Sequence, residues 1–367
     1  MNYQELFRAE QLPVFQNKIF NTKAEALACK KGDILLVQDN NTGLIFNAAF
    51  DPNLLVYDTD YQNEQACSVA FQHHLDDVKI IIANHFINKK LIEIGCGKGY
   101  FLEQLRQSGY QITGIDPAYE GTCSYILKTL FEPRLGLSGD GIILRHVLEH
   151  IFNPVEFLSN IAKANSGKGL IYIEVPCFDW ICQHHAWFDV FYEHANYFRL
   201  IDLERMFGTV IESGHLFGGQ YLYLIADLAT LKLPRATDED IIDFPRDFLS
   251  SVQRYANFCK ASYTTEQYGT ERIGVQRAIW GSASKGVIFA LYMKNAGVTI
   301  DLAIDINPAK QGKFLGASGL PVLLPENAMA ILRPRADIFI MNSNYLNEII
   351  AESNNQFNYI TVDHNEF

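Results

Sequence analysis

One nine-residue stretch limits what this chain can fold into. Leu91-Ile92-Glu93-Ile94 reads as a short buried strand ending on an acid, and Gly95-Cys96-Gly97-Lys98-Gly99 reads as a tight turn. Tyr100-Phe101-Leu102-Glu103-Gln104-Leu105 then opens a helix with one apolar face. Glycine permits backbone angles and close approaches that a Cβ forbids, and a helix N-terminus presents free amides. Strand, turn and helix together predict a nucleotide-like ligand. The spacing Gly-x-Gly-x-Gly differs from the dinucleotide fingerprint Gly-x-Gly-x-x-Gly. Glu93 would repel a pyrophosphate but suits a cationic amino-acid ligand. One βα unit on, Gln111-Ile112-Thr113-Gly114-Ile115-Asp116-Pro117 places a second carboxylate at a strand end. There it can accept both hydroxyls of a ribose.

Acid, glycine turn and second acid resemble the cofactor motif of the class I S-adenosylmethionine (SAM) methyltransferases. The resemblance implies SAM as cofactor, held by Glu93, Gly95, Gly97 and Asp116. A nicotinamide-binding or purely structural βαβ unit is the plainer alternative. At 367 residues the chain is long enough for two or three domains. Its net charge of −12, with no basic stripe, argues against nucleic-acid binding. No apolar run reaches the length of a membrane span, and Met1-Asn2-Tyr3-Gln4-Glu5 does not open a signal peptide. The seven cysteines form no Cys-x-x-Cys pair, which fits a reducing cytoplasm and argues against a four-cysteine zinc site.

The chain divides into four segments. Residues 1–67 are expected to form a small β-rich unit with a hairpin, Gly32–Val37 and Leu44–Asn47, about the Asp39–Gly43 turn. Residues 68–228 alternate strand and helix, which predicts an α/β parallel sheet covered on both faces. Its strands are 91–94, 111–115, 141–144 and 169–175, with 221–226 as a late edge strand. A helix from Ser68 to His85 carries His73 and His74, read as half-exposed surface. Residues 229–273 read as a helical linker. Residues 274–367 repeat the strand–glycine turn–helix pattern at Arg277–Leu291, so a second Rossmann-like unit is expected. Its loop Gly281-Ser282-Ala283-Ser284-Lys285-Gly286 offers amides, hydroxyls and one ammonium. These suit a phosphate, with Ser282 and Lys285 as candidate ligands; an ordinary strand-to-helix turn is the alternative.

Two clusters can carry chemistry. Arg145-His146-Val147-Leu148-Glu149-His150 follows the strand 141–144, at the cofactor-facing edge. Phe191-Tyr192-Glu193-His194-Ala195-Asn196-Tyr197-Phe198 follows the strand 169–175 and an aromatic insert. Histidine titrates near neutral pH and can take a proton from an acceptor. A neighbouring carboxylate such as Glu193 can orient it. His184-His185 followed by Glu193 and His194 lacks a metal-binding helix spacing, so no metal is expected.

These segments, with Asn307-Pro308-Ala309-Lys310-Gln311-Gly312-Lys313, resemble the three-domain SAM-dependent C-methyltransferases of nucleotide-linked deoxysugars. The resemblance covers nearly the whole chain. It implies a 4-keto-6-deoxyhexose acceptor on a nucleoside diphosphate, methylated at carbon 3. It also implies His150 and His194 in the site with Glu193 beside them, and Tyr61 as a lid over the cofactor. Two departures stand out. The family's N-terminal domain holds zinc through cysteine pairs, whereas only Cys29 is near here, so the zinc-binding-like domain is degenerate. Phe191 stands where the sugar enzymes carry a tyrosine. An O- or N-methyltransferase of saccharide or natural-product assembly, and a SAM-binding scaffold without catalysis, are the other readings.

Overall fold

The computed structural model describes residues 2–55, 66–87, 89–260 and 275–364. At the N-terminus β1 (Tyr3–Pro13), β2 (Ile19–Phe20), β3 (Lys31–Asp39) and β4 (Ile45–Asn47) accompany a short helix, Lys23–Leu27. β3 and β4 form the expected hairpin. Asp39 Oδ1 accepts from the amides of Asn41 and Thr42 at 2.8 and 2.7 Å, which fixes the turn. β1 was hidden in the sequence because its polar residues mask the alternation; it pairs antiparallel with β3 across two register shifts.

The helix Val69–His85 starts at Ser68, whose hydroxyl accepts from the Phe71 amide. Its buried face carries Phe71, Leu75, Val78 and Ile82. His74 is also on that face, so it is a core residue and not half-exposed surface; His73 is exposed. β5 (Lys90–Ile94), β6 (Gln111–Ile115), β7 (Ile126–Leu127), β8 (Gly141–Arg145) and β9 (Leu170–Pro176) run parallel. The helices Tyr100–Gln107 and Pro154–Ala164 connect them. β10 (Asn196–Tyr197) leaves this region and pairs with β4. β11 (Val210–Leu216) and β12 (Tyr221–Asp227) finish the sheet as an antiparallel hairpin.

The resulting order is β11-β12-β9-β8-β5-β6-β7. This is the Rossmann-like sheet of the class I methyltransferases. The strand Tyr221–Asp227 is interior, not the expected edge: β11, half polar and bent by a register shift, takes the outer position. The strand order turns back on itself between β5 and β8. Ligands bind at such switch points, beyond the strands' carboxyl ends.

A helix at Ser250–Lys260 leads to the last domain, with Tyr255 donating to the Val362 carbonyl at 2.9 Å. There β13 (Arg277–Trp280), β14 (Leu302–Ile304), β16 (Val322–Leu323), β17 (Asp337–Ile340) and β18 (Asn358–Thr361) make a parallel sheet of order β16-β14-β13-β17-β18. β15 (Phe314–Leu315) leaves it to pair with β2. The N-terminal unit is therefore stitched into both neighbours, through β10 and β15, and is not a separate body. A second link joins the two large domains. The Glu348 carboxylate accepts from the Ser68 hydroxyl at 2.7 Å and from the Ala70 amide at 3.1 Å, capping the helix Val69–His85.

Candidate active site

The cofactor cradle forms where β5 meets its helix. Gly95 has φ +77°, and a Cβ there would lie 2.2 Å from Val147 Cγ2, in the loop after β8. Gly97 has φ +56°, yet a Cβ there would meet nothing within 4 Å. One glycine admits the neighbouring loop; the other keeps a space open. The Gly97 amide donates to Asp116 Oδ2 at 2.8 Å, and the Ala118 amide to Asp116 Oδ1 at 2.8 Å. Each carboxylate oxygen keeps a further lone pair for a hydroxyl.

Glu93 is 2% exposed, and its Oε2 has no hydrogen-bond partner among the described residues. Burial pushes its carboxyl up to about 7; Arg145 opposes this, while Asp116 and Glu174 add to it. A buried acid without a partner calls for a cationic ligand. Acid, open glycine and ribose-facing carboxylate together fit SAM, which brings both an ammonium and a ribose. Tyr61 lies outside the described residues.

Beside this cradle a cavity of about 240 Å³ opens between the methyltransferase sheet and the C-terminal domain. His146, Glu149, His150 and His194 line one side, with Ser284, Lys285 and Gly286 on the other. The two expected histidines come together here, their rings 5.0 Å apart and edge-to-face. His150 Nδ1 lies 2.9 Å from the Glu193 main-chain carbonyl, a geometry that assigns the proton to Nδ1 and the lone pair to Nε2. The His194 ring packs 4.0 Å from that of Phe191, and its Nδ1 has no hydrogen-bond partner among the described residues. Burial, then the nearby positive charge of His150, His146 and Lys285, pushes His194 well below the ordinary histidine range.

Glu193 does not sit beside His194 as expected. Its Oε1 accepts from the Gln16 amide at 2.7 Å and the Asn17 amide at 3.4 Å, and Oε2 from Asn17 Nδ2 at 3.4 Å. Three donors of the N-terminal segment collect the carboxylate. What the residue offers His150 is its carbonyl. No spacing within the Glu-His dipeptide carries that information, since the partners are about 176 positions away in sequence.

Glu174 was not singled out in the sequence; His146 was read only as part of its cluster, and His74 only as surface. His146 has φ +52°, in the left-handed region, at the carboxyl end of β8. Its Nδ1 is 3.5 Å from Glu149 Oε1 and its Nε2 is 2.9 Å from Glu174 Oε1, the latter off hydrogen-bond alignment. Burial lowers its pKa, but the two carboxylates more than offset this and raise it to about 9. Glu174 is fully buried and collects Arg145, His74, His146 and the Tyr172 hydroxyl. Burial alone would raise its carboxyl; Arg145 and the two histidines hold it well below the usual range. The signal that could have found His74 and Glu174 is polarity at positions whose apolar neighbours declare a core face.

In the C-terminal loop Ser282 is not turned to the cavity. Its amide and hydroxyl both donate to Asp305 Oδ2, at 3.0 and 2.7 Å, and Lys310 Nζ joins them at 2.8 Å. Ser282 therefore holds the loop in shape, and Ser284 takes the cavity position. Lys285 does line the cavity, with Nζ 3.0 Å from Asp189 and 2.9 Å from Gln220 Oε1. A Cβ on Gly286 would fall 2.0 Å from the Gly281 carbonyl oxygen, so only glycine lets the helix Ser284–Asn295 start so close to β13.

Two family models match separate parts of the chain. Residues 68–210 match the model of a methyltransferase domain, and residues 247–360 match that of a C-methyltransferase C-terminal domain. The chain is 24% identical over 294 residues to the C-methyltransferase NovU of Streptomyces niveus, covering 71% of this chain and 68% of that one. Over 102 residues it is 26% identical to the mitochondrial ubiquinone biosynthesis O-methyltransferase of Schizosaccharomyces pombe, covering 23% of this chain and 37% of that one. Among solved structures it is similar to a SAM-dependent methyltransferase from Archaeoglobus fulgidus, with TM-score 0.34, 19% identity, and coverage of 42% of this chain and 93% of that one. It is also similar to the plantazolicin methyltransferase BpumL in complex with SAH, with TM-score 0.35, 16% identity, and coverage of 46% and 87%. The chain is thus a SAM-dependent methyltransferase, and its residues 247–360 are similar to the C-terminal domain of C-methyltransferases.

Proposed function

We propose that the protein methylates the carbon next to the ketone of a nucleotide-linked 4-keto-6-deoxy sugar, at carbon 3, with a cavity histidine as base. The observation that carries this is His194: a buried imidazole held unprotonated, with Nδ1 unpartnered among the described residues, in the cavity beside the cofactor cradle. SAM, when bound, supplies an electrophilic methyl group. The chain's own task is to make a nucleophilic carbon. His194 accepts the α-proton, and the C–H electron pair moves into the enolate. His150, fixed by the Glu193 carbonyl, turns its Nε2 to the same space and is the second candidate. A neutral imidazole is ready to accept without first losing a proton.

The nucleotide end has a matching surface. The first amides of the helix Ser284–Asn295 have no intrahelical acceptor, since the first intrahelical bond runs from Val287 to Ala283. With Lys285 beside them they suit a diphosphate. One observation favours O- or N-methylation instead: Phe191, packed on His194, brings no hydroxyl to the site.

The test is to incubate the protein and SAM with thymidine diphosphate-linked 4-keto-6-deoxyglucose in deuterated buffer, followed by mass spectrometry and NMR. Gain of one methyl at carbon 3, with loss of the carbon-3 proton, supports the reading. Methylation on oxygen or nitrogen, with the carbon-3 proton retained, overturns it. Binding of SAM with neither methylation nor exchange across a panel of keto sugars also overturns it.

A further inference from the structure

We propose that Glu149, and not Glu193, is the carboxylate that orients the cavity histidines and offsets the positive charge formed when one of them takes a proton. This rests on the reading of a histidine base given above. Glu149 lies one residue before His150, in the turn Leu148–His150 after β8, and is 2% exposed. Its Oε1 faces His146 Nδ1 at 3.5 Å. Its Oε2 is buried and has no hydrogen-bond partner among the described residues. A buried carboxylate oxygen left unsatisfied is costly and marks a position that something must complete. His194 Nδ1, on a ring that is 6% exposed, is also unsatisfied among the described residues, as is His146 Nε2.

One donor atom from each of Glu149, His150 and His194 lies within 4.8 Å of the other two. A spacing of up to 4.8 Å, where Glu149 Oε2 and His194 Nδ1 have no hydrogen-bond partner among the described residues, can hold one oxygen atom between them. Such an oxygen, from water or from the acceptor, would bridge carboxylate and imidazole. Glu193 cannot take this part while its carboxylate is held by the Gln16 and Asn17 amides. When an imidazole accepts the α-proton it becomes a cation in a buried space. Glu149 is the anion that faces it, and the charges then cancel; the proton stays on the imidazole until it leaves to solvent. Glu149 is thus a positioning residue, acting through the histidines.

The charged and titratable surroundings are few. His146, from the end of β8, shares the Glu149 carboxylate with the cavity; Glu174 balances His146 from β9. Lys285, from the helix Ser284–Asn295, faces His194 but is paired with Asp189. The Tyr197 ring on β10 packs 5.8 Å from that of His194. Of these carboxylates, Glu149 is the one that groups with the two histidines and has an unsatisfied oxygen among the described residues.

The experiment compares the full chain with its Glu149→Gln, Glu149→Asp and Glu193→Gln variants. The first readout is the titration of nitrogen-15-labelled histidines by NMR, with His150 and His194 assigned through their own glutamine variants. It needs no acceptor, so it decides the coupling even if the keto-sugar reading fails. Removing an anion that favours imidazolium lowers the histidine pKa. Glu149→Gln is expected to move the His194 or His150 midpoint to lower pH, and Glu193→Gln to leave both in place. The second readout is the pH profile of kcat/KM with thymidine diphosphate-linked 4-keto-6-deoxyglucose. Its acidic limb should move down in pH for Glu149→Gln, with kcat reduced at least tenfold, and Glu149→Asp should recover part of the loss. Unmoved titrations in Glu149→Gln, or a shift produced by Glu193→Gln alone, would overturn the proposal. So would activity that EDTA abolishes and a divalent ion restores, because the carboxylate would then be serving a metal. If Glu149→Gln fails to fold, Glu149→Ala, which also removes the anion, carries the same two readouts.

Discussion

Replacing Glu193 by glutamine separates a structural carboxylate from a chemical one. The side chain is fully buried and collects three donors, one at 2.7 Å and two at 3.4 Å. Hydrogen bonds to a charged group contribute about 1.5–3 kcal/mol, against about 0.5–1.5 kcal/mol for neutral pairs. Keeping the oxygen on Gln16 and Asn17 therefore loses about 1 kcal/mol for the short bond and less for the long one. The new amide nitrogen meets Asn17 Nδ2, donor against donor, and Asn17 must turn its amide over or leave the bond unmade. That turn also disturbs the Asn17 contact with the Ser284 hydroxyl at 3.3 Å. The expected total is about 2 kcal/mol of lost stability, read as a lower urea midpoint. The bond from His150 goes to the Glu193 carbonyl and survives the change. Turnover of folded protein should fall by less than about tenfold, where loss of a general base costs ~10²–10⁴. A variant with an unchanged urea midpoint and a thousandfold loss of kcat would refute the reasoning and return the carboxylate to the chemistry.

Two further outcomes test the rest of the site. Gly97→Ala adds a Cβ that meets no protein atom but must hold φ +56°, so stability should drop by only about 1–2 kcal/mol. Because that Cβ fills the space kept for the cofactor, calorimetry should show SAM affinity falling much further than this, and undiminished affinity would refute the cradle. His146 has a folded pKa of about 9 against about 6.5 unfolded, so its contribution to stability is fully present below pH ~6.5 and is lost as pH rises through about 9. Urea midpoints of the wild type should decline over that window, and His146→Gln should flatten the decline; equal slopes would remove the ion pairs with Glu149 and Glu174 as its cause.

The architecture was legible where local rules decide it. The strand, glycine turn and helix at Leu91–Leu105 and again at Arg277–Leu291 form as read, because φ, apolar periodicity and helix start are set by neighbours in sequence. The meeting of His150 and His194 was expected from the resemblance alone, and the structure brings their rings within 5.0 Å. What escaped were pairings with distant partners. Glu193 looked like a companion of His194 until the Gln16–Asn17 turn claimed it. Ser282 looked like a ligand until Asp305 did the same. His74 looked exposed because the buried carboxylate that satisfies it, Glu174, sits on another element. In each case a polar side chain was read by its type, and its role was fixed by whichever donor or acceptor the fold brought nearest.

The pairing of β2 with β15 sets an order of events during synthesis. Ile19 and Phe20 find Leu315 and Phe314 only after roughly 300 further residues have been made, which takes about 15–60 s at ~5–20 residues per second. Until then the N-terminal unit has one edge uncovered, and the Glu348 cap that closes the helix Val69–His85 has not yet been translated. The cavity proposed for the acceptor, walled by both large domains, is thus among the last features to exist. A chain halted before its C-terminal domain lacks one wall of that cavity.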